Sequence, residues 1–304
     1  MGGRLCRRWQ KGDVMVTRRR FVQLSAAAGV AAVTSQKSRA EARERVRDRM
    51  WLWSHHPGVY DGMFGLPRNS RITPVDAARY LGTPNIMFIR ASGQPAYPFE
   101  AYAAAFKDVK RLQWSITGSA GATSREEREH ALQLAASMPN ITGLYMDDFF
   151  NFARQGQEAS MTVDEVKAIR DRMTIDGRRL ELGIVVYTAD QFDDRMRPYL
   201  ELCDAISLWS WSATELDGLE ANFARLREIA PGKHLQMGCY MWDYGPRQPM
   251  PLERIERQCA LGLQWLREKR IRDMIFCGAH LCDQGLEAVE ATRNWLARVG
   301  DQPL

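Results

Sequence analysis

The segment ITGLYMDDF, residues 141–149, joins a short apolar run to two adjacent aspartates. Its length suits a buried strand better than a helix. Seven more apolar runs of similar length lie at residues 50–56, 85–92, 111–119, 180–188, 205–211, 235–243 and 273–280. A polar turn follows each run, so the sequence predicts eight consecutive strands.

Helical patterns separate these runs. Ser-x-x-Glu at 124–127 and Thr-x-x-Glu at 162–165 are capping boxes, which begin helices. Other helices are expected to begin near Pro74, Pro98, Thr214 and Pro251, and the last to cover residues 285–298. Eight strand–helix units in sequence predict an α/β fold, a single (β/α)8 TIM barrel over residues 45–304.

Side chains of a barrel strand alternate between the outer helices and the interior. In the fourth run Leu144 and Met146 suit the helix side, so Tyr145 and Asp147 should face inward. The same phasing places Phe276 inward on the eighth strand. It also predicts a polar, aromatic mouth at the carboxyl ends, where active sites of this fold lie. The inward residues near that mouth are His55, Arg90, Thr117, Asp147, Tyr187, Trp209, Trp211, Tyr240, Trp242 and His280.

Aromatic rings beside carboxylates suit a carbohydrate ligand, whose C–H faces pack on rings and whose hydroxyls pair with polar groups. Glycoside hydrolysis commonly uses two carboxyl groups. Asp147 is the first candidate, and the like charge of Asp148 should raise its pKa. Asp148 would alternatively bind a hydroxyl on the rim. Candidates for the second catalytic carboxylate are, in order, Asp243, Asp190 and Asp283.

The remaining mouth residues are assigned to substrate binding. Stacking surfaces are expected from Trp209, Trp211, Tyr240 and Trp242, and polar contacts from His55, Arg90, Tyr187 and His280. No cofactor is expected. Two alternatives stay open: a metal-dependent isomerase, lyase or hydrolase that uses His55, His280 and Asp147 as ligands, and a barrel that binds glycans without catalysis.

The eight-unit layout, Tyr145-Met146-Asp147-Asp148 and the tryptophan-rich strand ends resemble the broad group of TIM-barrel glycoside hydrolases. That group includes barrels with essential aspartates after the fourth strand, such as the chitinase-like and polygalactosaminidase-like families. The chitinase pattern Asp-x-x-Asp-x-Asp-x-Glu is absent, because no glutamate follows Asp147 and Asp148 at its last position. The resemblance implies the reaction class, cleavage of glycosidic bonds in a polysaccharide or glycan.

The first 44 residues have a different composition. Residues 1–40 hold nine of the 42 bases and one of the 37 acids, which leaves 33 bases and 36 acids in the rest. Residues 17–36, TRRRFVQLSAAAGVAAVTSQ, resemble a twin-arginine export signal followed by a linker. Its apolar part, residues 21–33, is too short to anchor the chain in a membrane. We therefore expect recognition by the Tat translocase, a periplasmic or secreted protein, and no nucleic-acid partner.

Five cysteines follow the leader, at positions 203, 239, 259, 277 and 282. Their number is odd, no Cys-x-x-Cys pair occurs, and most lie in apolar runs. They are predicted to be buried free thiols, with a Cys277–Cys282 bridge as the one alternative.

Overall fold

The computed structural model describes residues 44–152, 156, 158–188 and 192–304. Residues 44–304 belong to one compact unit. The predicted export signal and Asp190 lie outside the described residues. None of the described helices is long and apolar enough to cross a membrane.

Eight parallel strands close into a barrel in which each strand pairs with its neighbours in the sequence. They are β1 (Met50–Ser54), β2 (Asn85–Phe88), β3 (Arg111–Thr117), β4 (Ile141–Met146), β5 (Glu181–Tyr187), β6 (Ala205–Trp209), β7 (His234–Tyr240) and β8 (Asp273–Cys277). The helices that follow them in turn are α1 (Pro74–Leu81), α2 (Glu100–Ala103), α3 (Arg125–Ser137), α4 (Val163–Asp171), α5 (Arg197–Leu202), α6 (Leu219–Ile229), α7 (Leu252–Arg267) and α8 (Glu287–Val299). The predicted (β/α)8 barrel is confirmed.

The two predicted capping boxes differ. Thr162 and Glu165 make both reciprocal hydrogen bonds at the start of α4. At the start of α3, Ser124 Oγ accepts from the Glu127 N–H at 3.0 Å, but the Glu127 carboxylate pairs with Arg90 at 2.8 Å. An ion pair between the β2 end and α3 therefore replaces half of the cap.

Large polar rings fill the middle of the barrel. The Tyr145 hydroxyl lies 2.7 Å from Ser207 Oγ and 3.1 Å from Gln236 Oε1. Trp209 Nε1 donates to the same Ser207 hydroxyl at 2.7 Å. The inward phasing of β4, β6 and β7 is thus confirmed at these positions. Buried polar atoms in this layer satisfy one another across three strands.

Two glycines make room for those rings. A Cβ added to Gly183 would lie 2.2 Å from the Tyr145 ring, and one added to Gly238 would lie 2.1 Å from the Trp209 ring. Real carbon atoms do not approach so closely, so any larger residue at either position would displace a ring. The interior is a packed layer and not a channel.

A charged network closes the amino-terminal end of the barrel. Arg272 donates to Glu181 Oε1 at 2.7 Å and to Asp273 Oδ2 at 2.6 Å. Asp273 is fully buried and also accepts from Gln236 Nε2 at 3.1 Å. The barrel is therefore occupied from this end to the Tyr145 layer, and open space remains at the carboxyl end.

The predicted phase of β8 was wrong. The Phe276 ring packs on Trp295 of α8, with centroids 6.1 Å apart, and the Met274 side chain lies against Gly262 of α7. Cys277, not Phe276, points into the barrel. The strand reads Asp-Met-Ile-Phe-Cys, with apolar residues on both faces, so hydrophobicity could not distinguish them.

The five cysteines of the barrel are buried and free. The prediction of free thiols is confirmed, and the Cys277–Cys282 bridge is not formed. Burial raises the pKa of the Cys203, Cys259 and Cys282 thiols to about 12, which keeps them protonated.

Candidate active site

A narrow pocket with a cavity volume of about 70 Å³ opens at the carboxyl end of the barrel. Strand ends from β1, β4, β5, β6, β7 and β8 contribute to it, as do the loops after β1, β3, β6 and β7. Its lining consists of Trp53, His55, Tyr60, Phe64, Ser119, Asp147, Asp148, Val185, Tyr187, Trp209, Trp211, Tyr240, Tyr244 and Cys277. Most of these residues are aromatic, and two are carboxylic acids.

Asp147 lies at the floor of the pocket, one residue beyond β4. Its side chain is almost fully buried, and its backbone N–H donates to Thr117 O at 3.1 Å, which extends the β3–β4 pairing. Burial, and then the negative charge of Asp148, raise the pKa of Asp147 well above its usual range. A hydrogen bond from the Asp148 backbone opposes this without cancelling it. The surroundings of Asp147 therefore favour the protonated carboxyl group over the carboxylate.

Asp148 accepts hydrogen bonds from two donors. Its Oδ2 accepts from the Ala120 N–H at 2.7 Å and its Oδ1 from the Tyr187 hydroxyl at 2.5 Å. Hydrogen bonds to both oxygens stabilise the carboxylate form. The two adjacent acids thus have different surroundings: Asp147 is buried, and Asp148 is anchored by hydrogen bonds to both of its carboxylate oxygens.

The backbone around Asp148 is strained. Asp148 and Ala120, its hydrogen-bond partner, have φ angles of 45° and 59°, in the left-handed region. A Cβ on neighbouring Gly121 would lie 2.7 Å from the Asp148 carbonyl oxygen, so the two loops touch here. Backbone strain of this kind costs free energy and concentrates at functional sites.

His55 is neutral and fixed in one tautomer. Its Nδ1 lies 3.0 Å from the Ile89 carbonyl oxygen, which can only accept, so Nδ1 carries the proton. Its Nε2 then accepts from the Tyr60 hydroxyl at 3.2 Å, and Tyr60 in turn lies 3.1 Å from Ser119 Oγ. Burial, followed by the proximity of His280, lowers the pKa of His55 to about 3.

His280 lies behind the pocket wall and not in it. Its Nε2 is 3.0 Å from the Tyr244 hydroxyl, and burial lowers its pKa to about 3. The rings of His55 and His280 are 6.2 Å apart, and each is bonded to a tyrosine. Within the described ranges, no group of three or more His, Cys, Asp and Glu residues is placed to hold a metal ion.

The aromatic residues form a continuous wall. Phe64 contacts the rings of Tyr60 and Tyr244, each at a centroid distance of 5.3 Å, and Trp211 contacts Tyr244 at 5.3 Å and Tyr240 at 5.8 Å. Trp211 is the outermost ring, with 37% of its surface exposed. Burial raises the pKa of the Tyr60, Tyr240 and Tyr244 hydroxyls well above their usual range, so these rings are neutral phenols.

Trp242 and Asp243 were wrongly placed in the pocket. Strand β7 ends at Tyr240, and residues 242–249 form a hairpin in which Trp242 pairs with Pro249. Strand alternation therefore does not extend to them. Trp242 Nε1 donates to the Phe64 carbonyl at 3.0 Å, and Asp243 Oδ1 accepts from the Ala213 N–H at 3.0 Å. Both residues position loops that carry the pocket wall.

Arg90 was also wrongly assigned to the mouth. Phe88, the last residue of β2, packs against Trp114 on the outer side of the barrel, and Arg90, two residues further on, lies on that side as well. Besides Glu127, it donates to the carbonyls of Pro95 and Gly93 at 3.0 and 2.9 Å. Through these contacts Arg90 links α3 and the β2–α2 loop to the end of β2.

Asp283, the third candidate for a second carboxylate, fixes a loop. Its Oδ2 accepts from the backbone N–H groups of Arg71 and Ile72 at 3.1 and 3.2 Å. It does not line the pocket. The carboxyl groups that the described residues bring to the pocket are therefore those of Asp147 and Asp148.

Several pocket residues were not identified from the sequence. They are Tyr60 and Phe64 in the loop after β1, Ser119 after β3, Tyr244 after β7, and Cys277 at the end of β8. A signal was present in the first loop, HPGVYDGMFG, where three glycines alternate with aromatic residues. Those glycines all have positive φ, so the loop folds tightly back over the barrel.

Comparison with solved structures finds the same architecture in chitinases. Active domain 2 of a thermostable chitinase from Pyrococcus furiosus superimposes with a TM-score of 0.56 at 10% identity, over 86% of this chain and 99% of that chain. A GH18 chitinase from Cycas revoluta gives a TM-score of 0.50 at 11% identity, over 80% and 99%. The likeness is one of fold.

Other barrels align as well. A tryptophan synthase α-subunit from Pyrococcus furiosus gives a TM-score of 0.46 at 13% identity, over 83% of this chain and 97% of that chain. No protein-family model and no curated protein matches the sequence. What the site does must therefore be argued from its own residues.

The raised pKa of Asp147 makes a prediction about stability. A carboxyl group whose pKa is higher in the folded state than in the unfolded state stabilises the fold when it is protonated. This stabilisation is complete below the unfolded-state pKa and is lost as pH rises through the folded-state pKa. Asp147→Asn cannot ionise, so its free energy of unfolding should match wild type near pH 4 and exceed it increasingly above, by up to about 1.4 kcal/mol per pH unit. Urea unfolding at several pH values measures this. A difference that does not change with pH would mean that Asp147 ionises normally.

Proposed function

We propose that this protein is a glycoside hydrolase-like enzyme that cleaves glycosidic bonds in a polysaccharide or glycan. The observation that carries the proposal is Asp147, a buried carboxyl group with a raised pKa at the floor of an aromatic pocket at the catalytic face of the barrel. A carboxylic acid that keeps its proton at neutral pH is what protonation of a glycosidic oxygen requires.

Asp147 acts as the general acid. Its proton is transferred to the oxygen of the leaving sugar as the glycosidic bond breaks. A water molecule then forms a bond to the anomeric carbon and gives its proton to the Asp147 carboxylate, which restores the acid. Burial destabilises the carboxylate form of Asp147. The carboxyl group therefore gives up its proton only when a glycosidic oxygen is in position to accept it.

Asp148 stabilises the positive charge that develops on the sugar ring. Its carboxylate is oriented in advance by Ala120 and Tyr187, so no reorganisation is needed when charge appears. Trp211 and Tyr240 offer ring faces on which a sugar can pack. The solved chitinase structures that share the fold are described in complex with chito-oligosaccharides and with (GlcNAc)4, which supports a carbohydrate as the substrate class.

The purified protein should release reducing sugar from at least one member of a panel of polysaccharides. Asp147→Asn should lower kcat by about 10²-fold or more, because asparagine has no proton to transfer at this position. The measurement is a reducing-end assay with and without a chelator, because a metal-dependent reaction would respond to the chelator.

Asp243→Asn is the matched control, because Asp243 is equally buried at the same face and lies outside the pocket. It should keep kcat within a few-fold of wild type. If both variants keep full activity, Asp147 is not the acid. If a glycan binds and is never cleaved by wild type, the site is a binding site and the proposal fails.

We also propose that the protein is exported through the Tat translocase, on the strength of residues 17–36. Replacing Arg18 and Arg19 together by lysine should retain the protein in the cytoplasm of a bacterial host that has this translocase. Cell fractionation and immunoblotting measure the distribution. Export that is unaffected by the double substitution would contradict the proposal.

A further inference from the structure

The aromatic rings at the mouth of the pocket form a contiguous row. The Phe64 ring contacts the rings of Tyr60 and Tyr244, and the centroids are 5.3 Å apart in both pairs. Trp211 continues the row, with its centroid 5.3 Å from that of Tyr244 and 6.1 Å from that of Tyr187. These five residues therefore form one side of the mouth.

Hydrogen bonds close the other side of the mouth. The Tyr187 hydroxyl donates to Asp148 Oδ1 at 2.5 Å, and Asp148 Oδ2 accepts from the Ala120 N–H at 2.7 Å. The residue before Ala120 is Ser119, whose Oγ lies 3.1 Å from the Tyr60 hydroxyl. The contacts thus return to Tyr60, where the row of rings began. We call this closed circuit, the five aromatic residues with Asp148, Ala120 and Ser119, the rim of the pocket.

Asp147 lies below the rim. In the rim, Trp211 has 37% of its surface exposed, whereas no more than 5% of Asp147, Trp53 or Trp209 is exposed. The rings of Trp53 and Trp209 contact each other, with centroids 5.2 Å apart, and Trp53 packs on the Tyr145 ring beneath them at 5.7 Å. This packed layer closes the bottom of the pocket, so a ligand enters and leaves through the rim.

The space inside the rim is small. Its volume is about 70 Å³. Pockets that enclose a drug-sized ligand have volumes of roughly 300–1,000 Å³. Two linked sugars approach the size of such a ligand, so both cannot lie inside the rim at once. A single sugar is the most that the pocket admits.

We propose that the enzyme removes sugars one at a time from the ends of a glycan chain and does not cleave internal bonds. The cleavage itself rests on the proposed function, and the rim determines which bonds can be reached. A glycosidic oxygen that Asp147 protonates must lie inside the rim with one of the two sugars that it joins. An internal bond has chain on both sides, and both parts would have to pass through the same opening. A terminal bond requires the chain to pass the rim once.

The mode of action determines the products. Each turnover breaks the bond between the terminal sugar and the chain and consumes one water molecule. One free sugar is released, and the chain that remains is one residue shorter. An enzyme that reached internal bonds would instead release fragments of mixed length.

The sizes of the first products test the proposal. A polysaccharide or oligosaccharide that the purified protein hydrolyses in the reducing-end assay is digested, and early samples are separated by anion-exchange chromatography while the viscosity is followed. The free monosaccharide should be the one small product, and the viscosity should fall slowly relative to the number of new reducing ends. Disaccharides or longer fragments in the earliest samples, with a rapid loss of viscosity, would overturn the proposal.

Phe64→Gly opens the rim without adding strain to the backbone. Phe64 has a φ of 55°, which glycine adopts without steric cost, and its carbonyl can keep the hydrogen bond from Trp242. Loss of the ring removes the contacts that join Tyr60 to Tyr244 at the rim. The variant should therefore release fragments of mixed length as well as the monosaccharide. If a folded and active variant releases the monosaccharide alone, the rim does not select the bond and the proposal fails.

Lys269→Gly is the matched control. Lys269 also has a positive φ, of 56°, but it follows α7 and lies outside the lining of the pocket. This variant should give the same products as wild type. Thermal unfolding shows whether each variant is folded, and the products of wild type decide the question if Phe64→Gly is not.

Failure of this proposal differs from failure of the proposed function. Fragments of mixed length that wild type releases and Asp147→Asn does not would refute cleavage at chain ends and leave the glycosidase. If wild type hydrolyses no polysaccharide and no oligosaccharide, the proposed function is refuted, and cleavage at chain ends with it.

Discussion

The burial of Asp147 beside a second acid is the constraint on which the organisation of the barrel mouth depends. Two adjacent carboxylates repel each other, most strongly where water is excluded, so the surroundings of the two acids must differ. Here burial and the charge of Asp148 raise the pKa of Asp147, and the Ala120 N–H and the Tyr187 hydroxyl bind the two oxygens of Asp148. Because these donors come from the loop after β3 and from the end of β5, the two strands that flank β4, the site depends on the order of the strands in the barrel. The left-handed backbone of Asp148 and Ala120 is the cost of this arrangement.

The rest of the barrel interior supports that arrangement by leaving little space below it. The Arg272 network closes the amino-terminal end. Tyr145 and Trp209 fill the middle, where their rings leave no room for a side chain at Gly183 or Gly238. A ligand can therefore enter from the carboxyl end alone. There the loops after β1 and β7 are joined by the bond between Trp242 and the Phe64 carbonyl, which fixes the aromatic wall above the aspartates.

The fold was predictable because each strand and each helix start is a local pattern, and eight such patterns in sequence leave few alternatives. Phasing succeeded where one face of a strand is polar, as for Asp147 on β4 and Trp209 on β6. It failed on β2 and β8, and it failed for Trp242, which lies beyond the end of its strand. Tyr60 and Phe64 could not be assigned, because the path of a loop is set by tertiary contacts that the local sequence does not encode.

The measurement that tests this account most directly is the protonation state of Asp147 in the folded protein. An infrared difference spectrum between wild type and Asp147→Asn isolates the carbonyl stretch of this one carboxyl group. The account predicts a protonated-carboxyl band at neutral pH that is absent from the variant and disappears only at higher pH. A band that is lost near pH ~4, as for an ordinary aspartate, would contradict the account, because Asp147 would then have no proton to give to a glycosidic oxygen.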